Sequence, residues 1–369
     1  MPLGSFHGGT IMYIGIPKES RPFEYRVGLS PAGVEILSKA GHQVFIEHEA
    51  GKSAGFSDQE YERVGARIAF SAQEVFGRAD FLLKIARPVP QELEWLHDGA
   101  ILAGFLHLAS SSRDQIDLLL EKKITALAYE QIKDAHGGLA VLRPFSMICG
   151  SMVAQFAARF LQTNRGGKGI LLSGVPGVPP AEVVILGAGE VGTSAARAML
   201  GAGAHVTVLD NNMAAIEKIA ERLPNVVTMF ATNRNIERAI KYADVLVGAV
   251  LVSGQRAPIL VTREMVRSMK PRSVIIDASI DQGGCVETSR PTTHDAPIFI
   301  EENIVHYCVP NIPSVVARTA SHVFVNSAIP FIAEIANQGI EAAIKQNTAI
   351  EAAINSHQGK LINLVRMGA

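Results

Sequence analysis

Residues 183–210 read VVILGAGEVGTSAARAMLGAGAHVTVLD, and this segment constrains the fold more than any other. Gly187, Gly189 and Gly192 form a G-x-G-x-x-G pattern directly after a short apolar strand and directly before a helical pattern. In that context the first glycine permits a tight turn, the second lets a pyrophosphate approach the backbone, and the third allows close helix–strand packing. The helix N-terminus then offers unpaired N–H groups and a positive dipole to phosphate. The segment therefore predicts a strand–turn–helix unit that binds a dinucleotide.

Asp210 ends the second strand of this segment, about 20 residues after the glycines. A carboxylate at that position accepts hydrogen bonds from the adenosine ribose and disfavours a 2′-phosphate, so the sequence predicts NAD rather than NADP. Two simpler interpretations stay open. The glycines could serve only a turn, and Asp210 could cap the next helix, a role that Asn211 and Asn212 also suit.

The rest of the chain alternates short apolar strands with helical patterns. The series starts with a strand at 12–17, an amphipathic helix at 31–41 and a strand at 42–47. A long, nearly all-apolar helix is predicted at 144–162, and the C-terminal part is predicted to be helical from about 320 to 356. Strands separated by helices require crossovers, which indicates α/β domains with mostly parallel sheets covered on both faces.

Composition narrows the function classes. The 369 residues, 48% of them hydrophobic, are enough for two domains, and the net charge of −1 gives no attraction to nucleic acid or to an anionic membrane. Cys149, Cys285 and Cys308 form no C-x-x-C pair, which argues against a disulfide framework or structural zinc and fits a reducing compartment. No signal peptide and no uninterrupted apolar run of about 18 residues is visible, so a soluble cytoplasmic protein is expected. The polar, glycine-rich residues 1–10 are predicted to be disordered.

Three polar residues lie where strands are predicted to end, which is where doubly wound sheets bind ligands. His107 closes the strand AILAGFLHL, Asp281 follows SVIIDASI in a loop with two glycines, and Arg26 lies in FEYRVGLSP between a strand and a helix. Each has a simpler interpretation: a core histidine, a turn aspartate and an exposed loop arginine. Arg26 could otherwise clamp a carboxylate, and His107 or Asp281 could move a proton.

Several segments together resemble one family. IPKES followed by EYRVGLSPAGVEIL at 16–37, then FLHLASS, GGLAVLRPFS, GAVLVSG and above all IDASIDQGGCVETSRPTTHD are similar to the alanine dehydrogenase and pyridine nucleotide transhydrogenase family, over residues 12–360. The resemblance implies two Rossmann-like doubly wound domains. An NAD domain, 141–307, would be inserted into a discontinuous substrate domain, 1–140 and 308–369. It also implies a cytosolic homo-oligomer, a hexamer or a dimer, without a resident metal.

The resemblance also implies site residues and a reaction. His107 and Asp281 would be catalytic and Arg26 would bind the substrate. Cofactor contacts would fall on Ser146, Gly187, Gly189, Gly192, Asp210, Thr232, Val250, Leu251, Ile280 and Asn311. The reaction would be reversible oxidative deamination of a small amino acid to a 2-oxo acid, with hydride passing to NAD.

One segment departs from the family pattern. The family usually reads L-L-K-V-K-E-P, and its second lysine is catalytic, whereas this chain reads LLKIARP at 82–88. Lys84 matches the first lysine and Ala86 replaces the second. Because strand side chains alternate, Lys84 and Ala86 are expected on one face, and Lys84 is predicted to reach the substrate in place of the missing lysine. Alternatively, a β-bulge could turn Arg87 inward.

Three functions are therefore compatible with the sequence. The first is an NAD-dependent amino-acid dehydrogenase of the alanine dehydrogenase type, with its usual or an altered substrate. The second is a catalytically silent NAD-binding regulator, which the missing lysine would explain. The third is a transhydrogenase-like NAD-binding subunit, for which no membrane-partner segment is visible in the sequence.

Overall fold

The structure is a computed structural model that describes residues 11–252 and 256–364, so the predicted disorder of residues 1–10 lies outside the described residues. The chain forms two compact units. Unit 1 combines Met1–Phe145 with Ser314–Ala369, and unit 2 is the continuous segment Ser146–Pro313. Unit 2 is thus inserted in the sequence of unit 1.

Strands and helices alternate through both units. The first part of unit 1 contains β1 (Tyr13–Ile16), α1 (Pro31–Lys39), β2 (Gln43–Glu47), α2 (Asp58–Arg63), β3 (Ala66–Ala69), α3 (Ala72–Arg78), β4 (Phe81–Ala86), α4 (Pro90–Trp95), β5 (Ile101–Phe105), α5 (Arg113–Glu121) and β6 (Thr125–Ala128). Helix α6 (Arg143–Phe160) follows, and then come β7 (Glu182–Leu186), α7 (Glu190–Gly201), β8 (His205–Asp210), α8 (Met213–Arg222), β9 (Val227–Phe230), α9 (Asn233–Tyr242), β10 (Val245–Gly248), α10 (Arg263–Arg267), β11 (Val274–Asp277), β12 (Ile298–Glu301) and β13 (Ile304–Tyr307). Unit 1 resumes with α11 (Ala317–Gln338), α12 (Ile340–Gln346), α13 (Thr348–Ala353), β14 (Ile354–His357) and β15 (Lys360–Leu361).

The sheet of unit 1 has the strand order β15-β14-β6-β5-β4-β1-β2-β3. Strands β1 to β6 pair in parallel, and β14 and β15 add an antiparallel edge. After β1 the chain moves outward to β2 and β3, and then returns to place β4 on the other side of β1. The order of the strands therefore reverses between β1 and β4, and this reversal is where doubly wound sheets bind ligands.

The sheet of unit 2 repeats this plan with the order β12-β13-β11-β10-β7-β8-β9. Its strands are parallel except for β12, and the order reverses between β7 and β10. The central strands β10 and β11 are buried over their whole length, and β7 is buried from Val183 onward, because helices cover both faces. The predicted fold class, two doubly wound α/β sheets, is confirmed.

Two helix predictions can be compared with the structure directly. The predicted helix at 144–162 is α6, which runs from Arg143 to Phe160. The prediction of helix up to residue 356 was wrong at its end, because Ile354–His357 form β14. This strand pairs antiparallel with β6, and its Ser356 hydroxyl donates to the Ile124 carbonyl oxygen at 2.9 Å, so it covers an edge of the sheet that would otherwise lack partners.

One described helix, Ile312–Gln338, is long and apolar enough to cross a membrane by length and composition alone. Phe324, Ala328 and Ile332 on this helix are fully buried in unit 1. A helix that packs one apolar face into a protein core also meets these criteria of length and composition, so they are weak evidence for a membrane span.

In unit 2, the Glu302 carboxylate joins α10 to the turn between β12 and β13. It accepts hydrogen bonds from Arg263 Nη1 at 2.7 Å and from Arg267 Nε at 2.9 Å. The bonds from Arg267 and then from Arg263 lower the pKa of Glu302 from the ordinary 4.5 to about 2. Because the folded-state pKa is depressed, the stabilisation is present above pH 4.5 and is lost as the pH falls through about 2.

We therefore expect Glu302→Gln to lower the urea midpoint of unfolding at neutral pH, and the difference from the wild type to narrow as the pH is lowered below about 4.5. Urea titrations at a series of pH values measure this. Glu217→Gln, on the exposed face of α8, is the control and should follow the wild type. A Glu302→Gln difference that does not change with pH would contradict the ion-pair explanation.

Candidate functional site

The three glycines after β7 lie in the turn that leads into α7 and in the first turn of that helix. Gly187 has a φ of +108°, and a Cβ on it would lie 2.4 Å from the Ala249 carbonyl oxygen. A Cβ on Gly192 would lie 1.8 Å from the Gly187 carbonyl oxygen, so no other residue fits there. A Cβ on Gly189 would meet nothing within 4 Å, which leaves open space at the residue that precedes α7. Two glycines are thus required by packing, and the middle one keeps the backbone accessible.

Asp210 ties the end of β8 to this turn. Its Oδ2 accepts from the Ala188 N–H at 2.6 Å, and its Oδ1 accepts from the Asn212 N–H at 2.8 Å. The cap of α8 is Asn212, whose side chain accepts from the N–H groups of Ala214 and Ala215. The interpretation of Asp210 as the helix cap is therefore wrong.

The remaining predicted cofactor residues of unit 2 mostly follow the carboxyl ends of neighbouring strands. They are Thr232 after β9, Val250 and Leu251 after β10, Ile280 after β11 and Asn311 after β13. Ser146 differs, because it lies half-buried in the first turn of α6. Two contacts join these loops. The Val250 N–H donates to Ser279 Oγ at 2.9 Å, and the Asn311 N–H donates to Asp281 Oδ2 at 3.4 Å.

Asp281 lies exposed in a short 3₁₀ turn, Ile280–Gln282, after β11. The carboxylate of Asp277, which is 1% exposed at the end of β11, holds this loop from beneath. It accepts from the N–H groups of Ser279 at 3.1 Å, Cys285 at 3.0 Å and Val286 at 3.2 Å. Burial raises the pKa of Asp277, and these hydrogen bonds act in the opposite direction.

In unit 1, Arg26 is 7% exposed, so the interpretation as an exposed loop arginine is wrong. One side of its guanidinium forms a two-point ion pair with Glu24: Nε donates to Oε1 at 2.7 Å and Nη2 donates to Oε2 at 2.5 Å. The guanidinium also lies 5.1 Å from the centre of the Phe145 ring. This pairing fixes the orientation of the planar group, because both ends of one side are bonded.

His107 follows β5 in a left-handed backbone conformation, with φ of 44° and ψ of 43°. Its side chain is 59% exposed, so the core-histidine interpretation is wrong. Glu130, directly after β6, holds this turn. Its carboxylate accepts from the Leu106 N–H at 3.2 Å and from the His107 N–H at 2.6 Å, and it lies 3.7 Å from His107 Nδ1. The strained backbone and the carboxylate together orient the imidazole at the carboxyl edge of the sheet.

Lys84 is 1% exposed and lies between two buried carboxylates. Its Nζ is 3.2 Å from Glu19 Oε2 and 3.3 Å from Glu92 Oε1. The register between β4 and β5 shifts between Leu83 and Ala86. This irregularity breaks the strict alternation on which the predicted common face of Lys84 and Ala86 depended. The role of Lys84 in substrate binding stays a prediction, and its two partners favour a structural role.

Sequence reasoning missed four acidic residues that position the predicted ones: Glu19, Glu24, Glu92 and Glu130. Glu130 had a readable signal, because it follows the strand TALAY in the same way that His107 follows its strand. The described part of the chain contains no group of three His, Cys, Asp or Glu residues arranged to hold a metal ion.

Comparisons with known proteins agree with this architecture. A model named Alanine dehydrogenase/PNT, N-terminal domain matches residues 15–149, and its C-terminal counterpart matches residues 153–364. Alanine dehydrogenase from Methanococcus maripaludis is 46% identical over 352 residues, which cover 95% of this chain and 94% of that protein. Alanine dehydrogenase from Mycolicibacterium smegmatis is 42% identical over 353 residues, which cover 95% of each.

Solved structures give the same result. A structure of L-alanine dehydrogenase superposes with a TM-score of 0.91 at 42% identity, covering 95% of this chain and 97% of its own. A transhydrogenase from Sinorhizobium meliloti superposes with a TM-score of 0.83 at 25% identity, covering 95% and 100%. The fold and the glycine turn define a doubly wound α/β protein with a Rossmann-type loop. The chain belongs to the alanine dehydrogenase/PNT family, as its motifs predicted.

Because Lys84 is the cation between two buried carboxylates, we expect Lys84→Ala to lower the free energy of unfolding by about 3–5 kcal/mol. Urea denaturation measures this. The control is Lys39→Ala, which removes an exposed pair with Glu35 and should cost at most about 1 kcal/mol. Equal effects of the two substitutions would show that the buried cluster does not depend on Lys84.

Proposed function

We propose that this protein is an NAD-dependent amino-acid dehydrogenase that catalyses reversible oxidative deamination. The observation that carries the proposal is the glycine turn at the strand reversal of unit 2, with Asp210 bonded to it. In the forward direction, a 2-amino acid, NAD⁺ and water give a 2-oxo acid, ammonium, NADH and a proton. The relatives named alanine dehydrogenase, at 42–46% identity, support L-alanine as the reference substrate.

The turn residues fit a dinucleotide. The open space at Gly189 and the N-terminus of α7 suit a pyrophosphate, and the Asp210 carboxylate at the end of β8 suits ribose hydroxyls and disfavours a 2′-phosphate. Thr232, Val250, Leu251, Ile280 and Asn311 follow the adjacent strands and would line the rest of the nucleotide, with Ser146 from α6. The chemistry that NAD would supply is the acceptance of a hydride from the substrate α-carbon.

The chain's own residues would bind the substrate and move protons. Arg26 would hold the α-carboxylate, since Glu24 already fixes the plane of its guanidinium. His107 would take a proton from the attacking water or the amine, and the Glu130 carboxylate, 3.7 Å from Nδ1, would help to orient the imidazole ring. Asp281 would orient the water and the ammonia that leaves.

The competing functions differ in measurable ways. A catalytically silent homologue is favoured by Ala86 and by the internal pairing of Lys84, and it would bind NAD without turnover. A transhydrogenase-like subunit has weaker support, because the transhydrogenase structure superposes with a TM-score of 0.83 at 25% identity, against 0.91 at 42% for L-alanine dehydrogenase. The purified protein should be titrated with NAD and NADP and assayed by NADH absorbance with a panel of amino acids. Binding of NAD without oxidation of any of them would overturn the dehydrogenase proposal.

Location and assembly belong to the same proposal. We propose a cytoplasmic homo-oligomer, a hexamer or a dimer, which acts on a small amino acid or 2-oxo acid without nucleic acid, membrane or metal. The family resemblance supports this assembly. Light scattering coupled to size-exclusion chromatography measures the subunit number.

His107→Asn should lower kcat by about 10²- to 10⁴-fold, because a positioned proton-transfer group contributes that much. The dissociation constant for NAD should stay unchanged, because the substitution alters none of the residues proposed to hold the nucleotide. Steady-state kinetics and NAD titration measure both quantities. The matched control is His97→Asn in the loop before β5, and an equal loss of activity in that variant would contradict the assignment.

Ala86→Lys should raise kcat/KM for L-alanine, because it returns a cation to the carboxyl end of β4. A hydrogen bond to a charged group contributes about 1.5–3 kcal/mol, which corresponds to roughly 10- to 100-fold. Ala86→Met, of similar length without charge, is the control. If the methionine variant gains as much as the lysine variant, the charge at residue 86 is not the limiting feature.

A further inference from the structure

Ser279 joins two neighbouring loops at the carboxyl edge of the unit 2 sheet. Strands β10 and β11 are parallel neighbours, and Gly248 lies opposite Asp277 at their ends. The main-chain ladder continues for one more bond, from the Ala278 N–H to the Gly248 carbonyl oxygen at 2.9 Å. Beyond this bond, the Val250 N–H donates to Ser279 Oγ at 2.9 Å. A side chain therefore extends the ladder past the point where the strands end.

The main chain of Ser279 holds the 3₁₀ turn that contains Asp281. Ser279 is 4% exposed and immediately precedes that turn. Its carbonyl oxygen accepts from the Gln282 N–H at 2.9 Å and from the Gly284 N–H at 3.0 Å. Its own N–H donates to the buried Asp277 carboxylate at 3.1 Å. The residue is thus fixed from beneath, and its backbone and its hydroxyl hold two different loops.

These two loops carry different parts of the proposed site. The loop after β10 begins with Val250 and Leu251, which are proposed nucleotide contacts, and the turn after β11 carries the aspartate proposed to orient water. A second bond joins the loops further along, from the Ala257 N–H to the Gln282 carbonyl oxygen at 2.9 Å. Leu251 lies between the two connections and is 56% exposed. The Ser279 hydroxyl is the connection next to it, so this hydroxyl fixes where the exposed segment starts.

We propose that Ser279 is a positioning residue, whose hydroxyl holds the segment of Val250 and Leu251 in place for the nucleotide and in register with the Asp281 turn. The inference rests on the proposed dehydrogenase function and adds a residue that couples nucleotide binding to proton transfer. Without the hydroxyl, the Val250 N–H loses its acceptor and the segment also adopts other conformations. Only the molecules with the segment in place bind NAD, so the apparent affinity falls in proportion to that fraction. The distance from the nucleotide to Asp281 is then no longer fixed, and proton transfer slows as well.

The binding test compares two buried serines near opposite ends of β11. Ser279→Ala should raise the dissociation constant for NAD by about 2- to 10-fold in calorimetry, as expected for one lost hydrogen bond, and should speed hydrogen exchange of the Val250 amide. The matched control is Ser273→Ala, because Ser273 is fully buried directly before β11 and its hydroxyl donates to the Ala243 carbonyl oxygen at 3.0 Å. The control should lower the Tm by a similar amount and leave NAD binding unchanged. Ser279→Thr, which keeps a hydroxyl, should return the dissociation constant toward the wild-type value.

The kinetic test uses saturating NAD and the amino acid that the wild type oxidises fastest. Ser279→Ala should lower kcat by up to about 100-fold, because a misplacement of about 1 Å can cost that much, whereas Ser273→Ala should leave kcat unchanged. An unchanged kcat in Ser279→Ala would overturn the coupling to proton transfer. Equal NAD affinity in the two alanine variants would overturn the positioning role, even if the wild type turns over and the dehydrogenase stands. Weaker NAD binding by Ser279→Ala alone, without turnover by the wild type, would instead support the positioning of the nucleotide segment and overturn the dehydrogenase.

Discussion

The backbone contact between Gly187 and Gly192 is the constraint on which the candidate nucleotide site depends. Any side chain on Gly192 would collide with the Gly187 carbonyl oxygen and force β7 and α7 apart. Because that contact is kept, α7 starts directly after Gly189 and its N-terminal N–H groups lie at the carboxyl edge of the sheet. Asp210 adds the lateral connection, since it accepts from the Ala188 N–H and so joins β8 to the same turn. Steric exclusion therefore fixes the turn, and the hydrogen bond from the Ala188 N–H to the Asp210 carboxylate joins β8 to it.

Unit 1 has the same strand reversal but fills its carboxyl edge differently. Where unit 2 has glycines and exposed backbone, unit 1 has buried ion pairs: Glu24 with Arg26, and Glu19 and Glu92 with Lys84. Buried charges are tolerated only when they are paired, so each pair also fixes the loop that carries it. The same architecture thus gives a backbone-lined cradle in one unit and a charge-lined edge in the other. We propose that the first holds the diphosphate of the dinucleotide and that the second holds the amino-acid substrate.

Features of the fold and the site that depend on residues close together in the sequence could be predicted, and features that depend on distant residues could not. The β7–α7–β8 segment followed from the sequence because its strand, glycines and Asp210 act on one another locally. The environment of Lys84 did not, since Glu19 comes from the loop after β1 and the register shift in β4 leaves no mark in FLLKIARP. Strand β14 was missed for the same reason, because its partner β6 lies more than two hundred residues earlier. Glu130 was different: the rule that found His107, a polar residue directly after a strand, also finds Glu130.

The end of β11 and the loop that follows it contain two aspartates in different environments, the buried Asp277 and the exposed Asp281. Asp277 is buried, and its carboxylate gathers the N–H groups of Cys285 and Val286, so the intervening glycines must fold the chain back over it. A Cβ on Gly248 would lie 2.5 Å from Cys285 Sγ, so the end of β10 must also be small for the loop to pack. Asp281 lies outside this framework and faces solvent. The DQGGC segment is therefore shaped largely by one buried carboxylate, whereas Asp281, which accepts from the Asn311 N–H at 3.4 Å, stays a predicted catalytic residue.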